Sequence, residues 1–198
     1  YNEDLFRKVT TLPEGKNHGL VFVLDWSGSM CEVLSNTMKQ LLSLVMFCDK
    51  VGIPFDVYTF TNDYKSNTDP YAPRELGPIG TFDLGHSFNM VNILTSKVNR
   101  KVLTEQMKRV YMIAEMFSTG QYHSVPDCMM LSGTPLNESI LTLHEIIPQF
   151  QRRYGVQKVH TIILTDGEGA QSRYVKAPLQ EYDDGGKKWV SRLSLIHI

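Results

Sequence analysis

Residues 20–30 read LVFVLDWSGSM. An apolar run from Leu20 to Leu24 passes straight into Asp25, and hydroxyls follow at Ser27 and Ser29. An unbroken apolar run of this kind predicts a strand buried on both faces, as in a parallel sheet. The carboxylate and the two hydroxyls then stand where the strand hands over to a helix. Three roles suit that position: capping the helix, activating a nucleophile, or holding a metal.

From Glu32 to Lys50 the residues Leu34, Met38, Leu41, Leu42 and Val45 recur at three- and four-residue spacing, one face of a helix. Ser29 with Glu32 makes the S-x-x-E pattern of a capping box, and Gly52 and Pro54 stop the helix. FDVYTF (55–60) reads as a second strand. Residues 61–86, rich in Asn, Asp, Gly and Pro, read as a long irregular loop of the kind that is functional or mobile. Phe88 to Leu94 predicts a strand, and Leu103, Met107, Val110, Ala114 and Phe117 form the stripe of a second helix. Thr134-Pro135 opens a third helix, with Thr134 as N-cap, whose stripe is Ile140, Leu143, Ile147 and Phe150. Pro148 is expected to kink that helix or end it early. Val159 to Leu164 predicts a buried strand ending at Thr165-Asp166-Gly167.

Buried strands alternating with amphipathic helices predict an α/β fold with a mostly parallel central sheet and helices on both faces. Such sheets bind ligands outside the carboxyl ends of their strands. Asp25 and Asp166 each follow a strand, and Thr134 starts a helix on the same rim.

The chain has 198 residues, 42% hydrophobic and 21% charged, which fits one soluble domain. A formal net charge of -1 leaves no basic footprint for nucleic acid. No apolar run reaches the roughly 18 to 20 residues that cross a bilayer, and the polar start YNEDLFRKVTTLPEGKN does not read as a signal peptide. Cys31, Cys48 and Cys128 are odd in number and form no CxxC pair, which predicts core thiols in a reduced, cytoplasmic compartment. Residues 1–17 read as a lead-in and 18–192 as the domain. The string LSLIHI (193–198) resembles the translation of a transposon-end adapter from sequencing libraries, so the natural chain is expected to continue beyond about Arg192.

Asp25, Ser27, Ser29, Thr134 and Asp166 are all hard oxygen donors. Oxygens without Cys or His suit Mg²⁺, Mn²⁺ or Ca²⁺ rather than zinc or copper. The D-x-S-x-S spacing lets a loop turn alternate side chains to one point, with Gly28 expected to relieve the backbone there. Two charged ligands neutralise a divalent ion without surplus. Hydroxyls donate weakly, which leaves the ion electrophilic and a position open for a partner's carboxylate.

DWSGSM (25–30), SGTPLNESI (132–140) and ILTDGE (163–168) resemble the von Willebrand factor A domain with its metal-ion-dependent adhesion site. The resemblance spans roughly residues 18–170 and implies a Rossmann-like three-layer fold. It implies that Ser27 and Ser29 bind the ion directly, that Thr134 is the separate threonine ligand, and that Asp25 and Asp166 reach the ion through water. GTPLNESI and TDGE look most like the chelatase-type branch, the cobaltochelatase CobT-like proteins and relatives found in large tailed phages. That branch implies a MoxR or CobS-type AAA+ ATPase partner whose acidic residue docks at the metal, in the cytoplasm of a bacterial or phage-infected cell. Trp26 is an unusually bulky occupant of the first x position. The family's final strand and helix are lacking, which implies C-terminal truncation.

A metal-dependent hydrolase or peptidase acting on its own is the rival class. No G-x-S-x-G elbow surrounds Ser27 or Ser29, and His144-Glu145 opens an H-E-x-x-H match that ends in Pro148. His144 reads instead as an exposed helix residue. Gly185-Gly186-Lys187 lacks the flanking residues of a P-loop, and His18, His86, His123 and His160 have no spacing that suggests a metal.

Overall fold

Alternation along the first strand decides where the layers form. The computed structural model describes residues 17–62, 78, 80–84, 87–167 and 169–170, together with strand backbone at 172–175, 181–184, 187–190 and 193–196. In chain order the principal elements are β1 (His18–Asp25), α1 (Leu34–Val51), β2 (Phe55–Asn62), β3 (Phe82–Asp83), β4 (Phe88–Thr95), α2 (Arg100–Ser118), α3 (Leu136–Tyr154) and β5 (Lys158–Leu164). Phe22 and Leu24 of β1 join one apolar cluster with Leu34, Met38, Leu41 and Val45 of α1 and Leu103, Val110, Ala114 and Phe117 of α2. Val21 and Val23 join a second cluster with Leu143 and Phe150 of α3. Side chains two apart on a strand share a face. Helices therefore cover both faces of the sheet.

The strand order is β4-β2-β1-β5. β1 runs parallel to β2, with Leu20 opposite Phe55, and parallel to β5, with Leu24 opposite Leu164. β4 lies antiparallel to β2. The fold is α/β with a mixed four-stranded sheet, in which the β1 pairings are parallel and the β2–β4 pairing is antiparallel. An antiparallel partner needs no crossover helix, and only the two-residue β3 is described between β2 and β4. Most of the loop expected over 61–86 lies outside the described residues.

Four further strands complete the described chain: β6 (Ser172–Val175), β7 (Glu181–Asp184), β8 (Lys187–Val190) and β9 (Leu193–Ile196). β6 pairs antiparallel with β3 and β9, and β7 with β8. The string read as adapter-derived thus supplies a strand.

α1 ends at Gly52, where a left-handed φ of 74° lets the N–H reach back to the Cys48 carbonyl. α3 closes the same way at Gly155. α3 continues past Pro148 to Tyr154, so the proline does not end it early. Burial of Leu143 and Phe150 on either side of the proline holds both halves to the sheet. β5 is half-buried rather than buried, because it is the edge of this sheet. Of the cysteines only Cys48 is buried. Cys128 is exposed, since it sits in a short turn at the rim rather than under a helix. No described helix is long and apolar enough to cross a membrane.

Gly19 marks a close approach of α3 to β1. A Cβ there would overlap the Phe150 ring and come within 3.3 Å of Val156 Cγ2. Phe150 is 1% exposed and has nowhere to swing. Gly19→Ala is expected to cost about 1–3 kcal/mol by overpacking, read as a lower urea midpoint. An unchanged midpoint would show that the ring has room to move.

Candidate metal centre

β1 and β5 end in register, so Asp25 and the Thr165-Asp166 pair emerge side by side. The loop before α3 is drawn to them by a parallel bridge between Ser27 and Ser132, with Gly28 N donating to Ser132 O at 2.8 Å. The loop after β5 is fastened to the start of α3: Ala170 N donates to Thr134 O at 2.8 Å, and Asn137 Nδ2 to Ala170 O at 3.2 Å. Gly169 permits this approach, since a Cβ would lie 2.8 Å from Leu136 Cβ. Three loops thus meet at the carboxyl ends of the strands, where an α/β sheet places its ligands.

Four of the five oxygen side chains form one connected set. Asp25 is fully buried. Its Oδ1 accepts from Ser27 N at 2.9 Å and its Oδ2 from Thr165 Oγ1 at 2.6 Å. Ser29 Oγ donates to Asp166 Oδ1 at 3.1 Å, and Ser27 Oγ lies 3.1 Å from Ser29 Oγ. The fifth, Thr134, is half-buried on the same rim, and its hydroxyl makes no hydrogen bond among the described residues.

Helix capping does not account for these hydroxyls, which corrects the capping-box expectation. Residues 28–32 form a 3-10 turn, α1 begins only at Leu34 after an N-cap at Val33, and neither start has a side-chain cap. The Ser29–Glu32 spacing matches a capping box, but the Ser29 hydroxyl is spent on Asp166. Thr134 is likewise not a cap: Pro135 takes the N-cap position of α3, and Thr134 contributes only its backbone carbonyl, which accepts from Leu136 N. Gly28 has no positive φ, and a Cβ there would meet only Ser132 O at 3.8 Å. Its expected backbone role is not needed.

Electrostatics single out Asp25. Burial pushes its carboxyl above the usual value, and the Asp166 charge acts in the same direction. The hydrogen bonds from Thr165 and Ser27 pull it down. No Lys, Arg or His among the described residues pairs with it. An ionised carboxylate buried beside a second one, without a counter-charge, is a costly arrangement. A divalent cation would supply the missing charge. The donor set suits a hard one: two carboxylates and three hydroxyls, while no three His, Cys, Asp or Glu side chains gather anywhere among the described residues.

One contributor carries no local signal in the sequence: Thr165 stands at a strand end, and its alignment with Asp25 follows from the β1–β5 register. Trp26 points away from the rim into the core, where its Nε1 donates to Met129 O at 2.7 Å and its ring meets Phe117 edge-on at 6.2 Å. That explains a bulky residue between Asp25 and Ser27: it anchors the loop from below. Comparison with protein-family models, curated proteins and solved structures finds no match to this chain.

Proposed function

We propose that the chain is a von Willebrand A domain of the chelatase-type branch and a metal-dependent interaction module, with no catalysis of its own. In this reading the three-layer arrangement carries Mg²⁺ or Mn²⁺, with Ca²⁺ as an alternative, at the rim of the sheet. Ser27, Ser29 and Thr134 ligate directly, and Asp25 and Asp166 supply the charge through water. The ion offers an open position to an Asp or Glu of a partner protein, a MoxR or CobS-type AAA+ ATPase of a chelatase-like or remodelling complex in the cytoplasm.

The observation that carries the reading is the uncompensated carboxylate of Asp25, linked through Ser27, Ser29 and Thr165 to Asp166 at the mouth of the sheet. Two negative charges and a set of hydroxyls free of capping duty suit a divalent ion better than a helix start. The partner assignment rests on the sequence resemblance, since fold alone does not fix function. Ser27 and Ser29 have each other and Asp166 as partners rather than an imidazole, so no nucleophile–base pair of the hydrolase kind is formed by them.

Capture from a host lysate tests the reading. Tagged protein in Mg²⁺ is expected to retain an ATPase that EDTA releases, and calorimetry on the isolated chain should register Mg²⁺ or Mn²⁺ binding. A folded protein that binds neither ion ends the proposal. Metal-dependent cleavage of a substrate by the isolated chain would move it to the hydrolase class.

A further inference from the structure

We infer that Thr165 is a positioning residue of the metal centre, pinning Asp25 and holding it at a set separation from Asp166. The inference rests on the metal reading above and concerns a residue outside the five ligand positions. Its Oγ1 donates to Asp25 Oδ2 at 2.6 Å, the shortest of the bonds around that carboxylate, while Ser27 N occupies Oδ1 at 2.9 Å. The same Oγ1 accepts from Gly167 N at 3.3 Å, on the far side of Asp166. One hydroxyl therefore ties the end of β1 to the turn that presents the second carboxylate.

The chemistry gives this link a purpose. Asp25 and Asp166 repel one another, and only a fixed scaffold keeps both aimed at one point when no cation lies between them. With a donor on each oxygen, Asp25 cannot rotate about its terminal bond without breaking one hydrogen bond. It is held as an oriented charge. Groups that orient the ligands of a metal in this way typically affect affinity by about 10–100-fold. Thr165 is itself exposed, so its hydroxyl is not needed to fill the core.

The test compares Thr165→Val, which keeps the shape and removes the donor, with Thr165→Ser, which keeps the donor. Mg²⁺ and Mn²⁺ affinities are read by calorimetry, and metal-free melting in EDTA reports folding. Thr165→Val is expected to weaken both ions by about 10–100-fold, and Thr165→Ser to restore wild-type affinity. A merely structural role would lower the metal-free melting point of the valine variant and leave the affinities of the folded protein alone. Wild-type affinity in Thr165→Val, or loss in Thr165→Ser equal to that in the valine variant, overturns the inference while the metal reading stands. Where the valine variant does not fold, Thr165→Ala against Thr165→Ser makes the same comparison. Wild-type protein that binds neither ion removes the metal reading and this inference with it.

Discussion

Asp25→Asn is expected to abolish stabilisation of the fold by Mg²⁺ and to leave the metal-free protein at least as stable as wild type at pH 7. The amide keeps the shape of the carboxylate, and its oxygen still accepts from Ser27 N. Its nitrogen faces the Thr165 hydroxyl, which can accept in place of donating. Only the buried charge is lost. In wild type, an ion at about a hundred times its Kd adds about 2.7 kcal/mol. For a chain of this size that raises Tm by about 5–10 °C. The variant should show no rise at all.

The pH dependence follows from the sign of the Asp25 shift. Burial raises its carboxyl in the folded protein above the ordinary value of 3.8. The native state then binds this proton more tightly than the unfolded chain, and stability falls as pH rises through the interval between the two values. This is the reverse of a salt-bridged carboxylate. In EDTA the stability of Asp25→Asn minus wild type should therefore grow as pH rises above about 3.8 and level off once the native carboxyl is ionised. In Mg²⁺ the wild type gains as the carboxylate ionises, because the ion binds the charged form. Paired thermal melts across pH, with and without EDTA, measure both curves. A variant that still responds to Mg²⁺, or a difference that shrinks with rising pH, would remove Asp25 from the centre of the site.

The strands and helices that frame the site were legible because their burial is written locally. β1 is apolar on both sides, so its run needs no partner to be recognised, and α2 repeats its stripe through Leu103, Val110, Ala114 and Phe117. What the sequence concealed depends on pairings across the chain. Ser29 and Glu32 have capping-box spacing, but Asp166, 137 residues from Ser29, claims the hydroxyl. β5 carries Lys158, His160 and Thr161 among its apolar residues, and its place in the strand order makes it an edge. His18 and His160 share no local spacing and still bring ring nitrogens to 3.0 Å, because parallel β1 and β5 set Leu20 beside His160. Thr165 was hidden for the same reason: a hydroxyl at a strand end says nothing until register sets a carboxylate opposite. Asp25, Ser27, Ser29 and Asp166 were identifiable from their positions at element ends. Their connections were not.

Trp26→Ala is expected to be the most destabilising single change at this rim, at about 3–5 kcal/mol for truncating a buried aromatic. Trp26 heads the fully buried side chains by volume, and its ring lies against Phe117 of α2. Truncation removes that packing, leaves a cavity under the loop, and strands the Met129 carbonyl, which now accepts from the indole at 2.7 Å. A lost partner for a buried acceptor adds to the cavity cost. At about 2–4 °C per kcal/mol for a domain of this size, Tm should fall by roughly 6–20 °C. Trp26→Phe keeps most of the ring and loses the N–H, so its cost should approach the about 1–3 kcal/mol of an orphaned carbonyl. Because Trp26 lies between Asp25 and Ser27, the same anchor that holds the core also fixes the D-x-S-x-S loop. It joins that loop to the turn at Asp127–Met129. Mg²⁺ should accordingly perturb the emission of the indole at Trp26, and Trp26→Phe, which leaves only Trp189, should erase that change. Urea melts of the two variants, with emission followed on Mg²⁺ addition, measure both effects. A Trp26→Ala protein within about 1 kcal/mol of wild type would mean that the ring packs loosely and the loop is held from above, by the hydroxyls and the ion, rather than from the core.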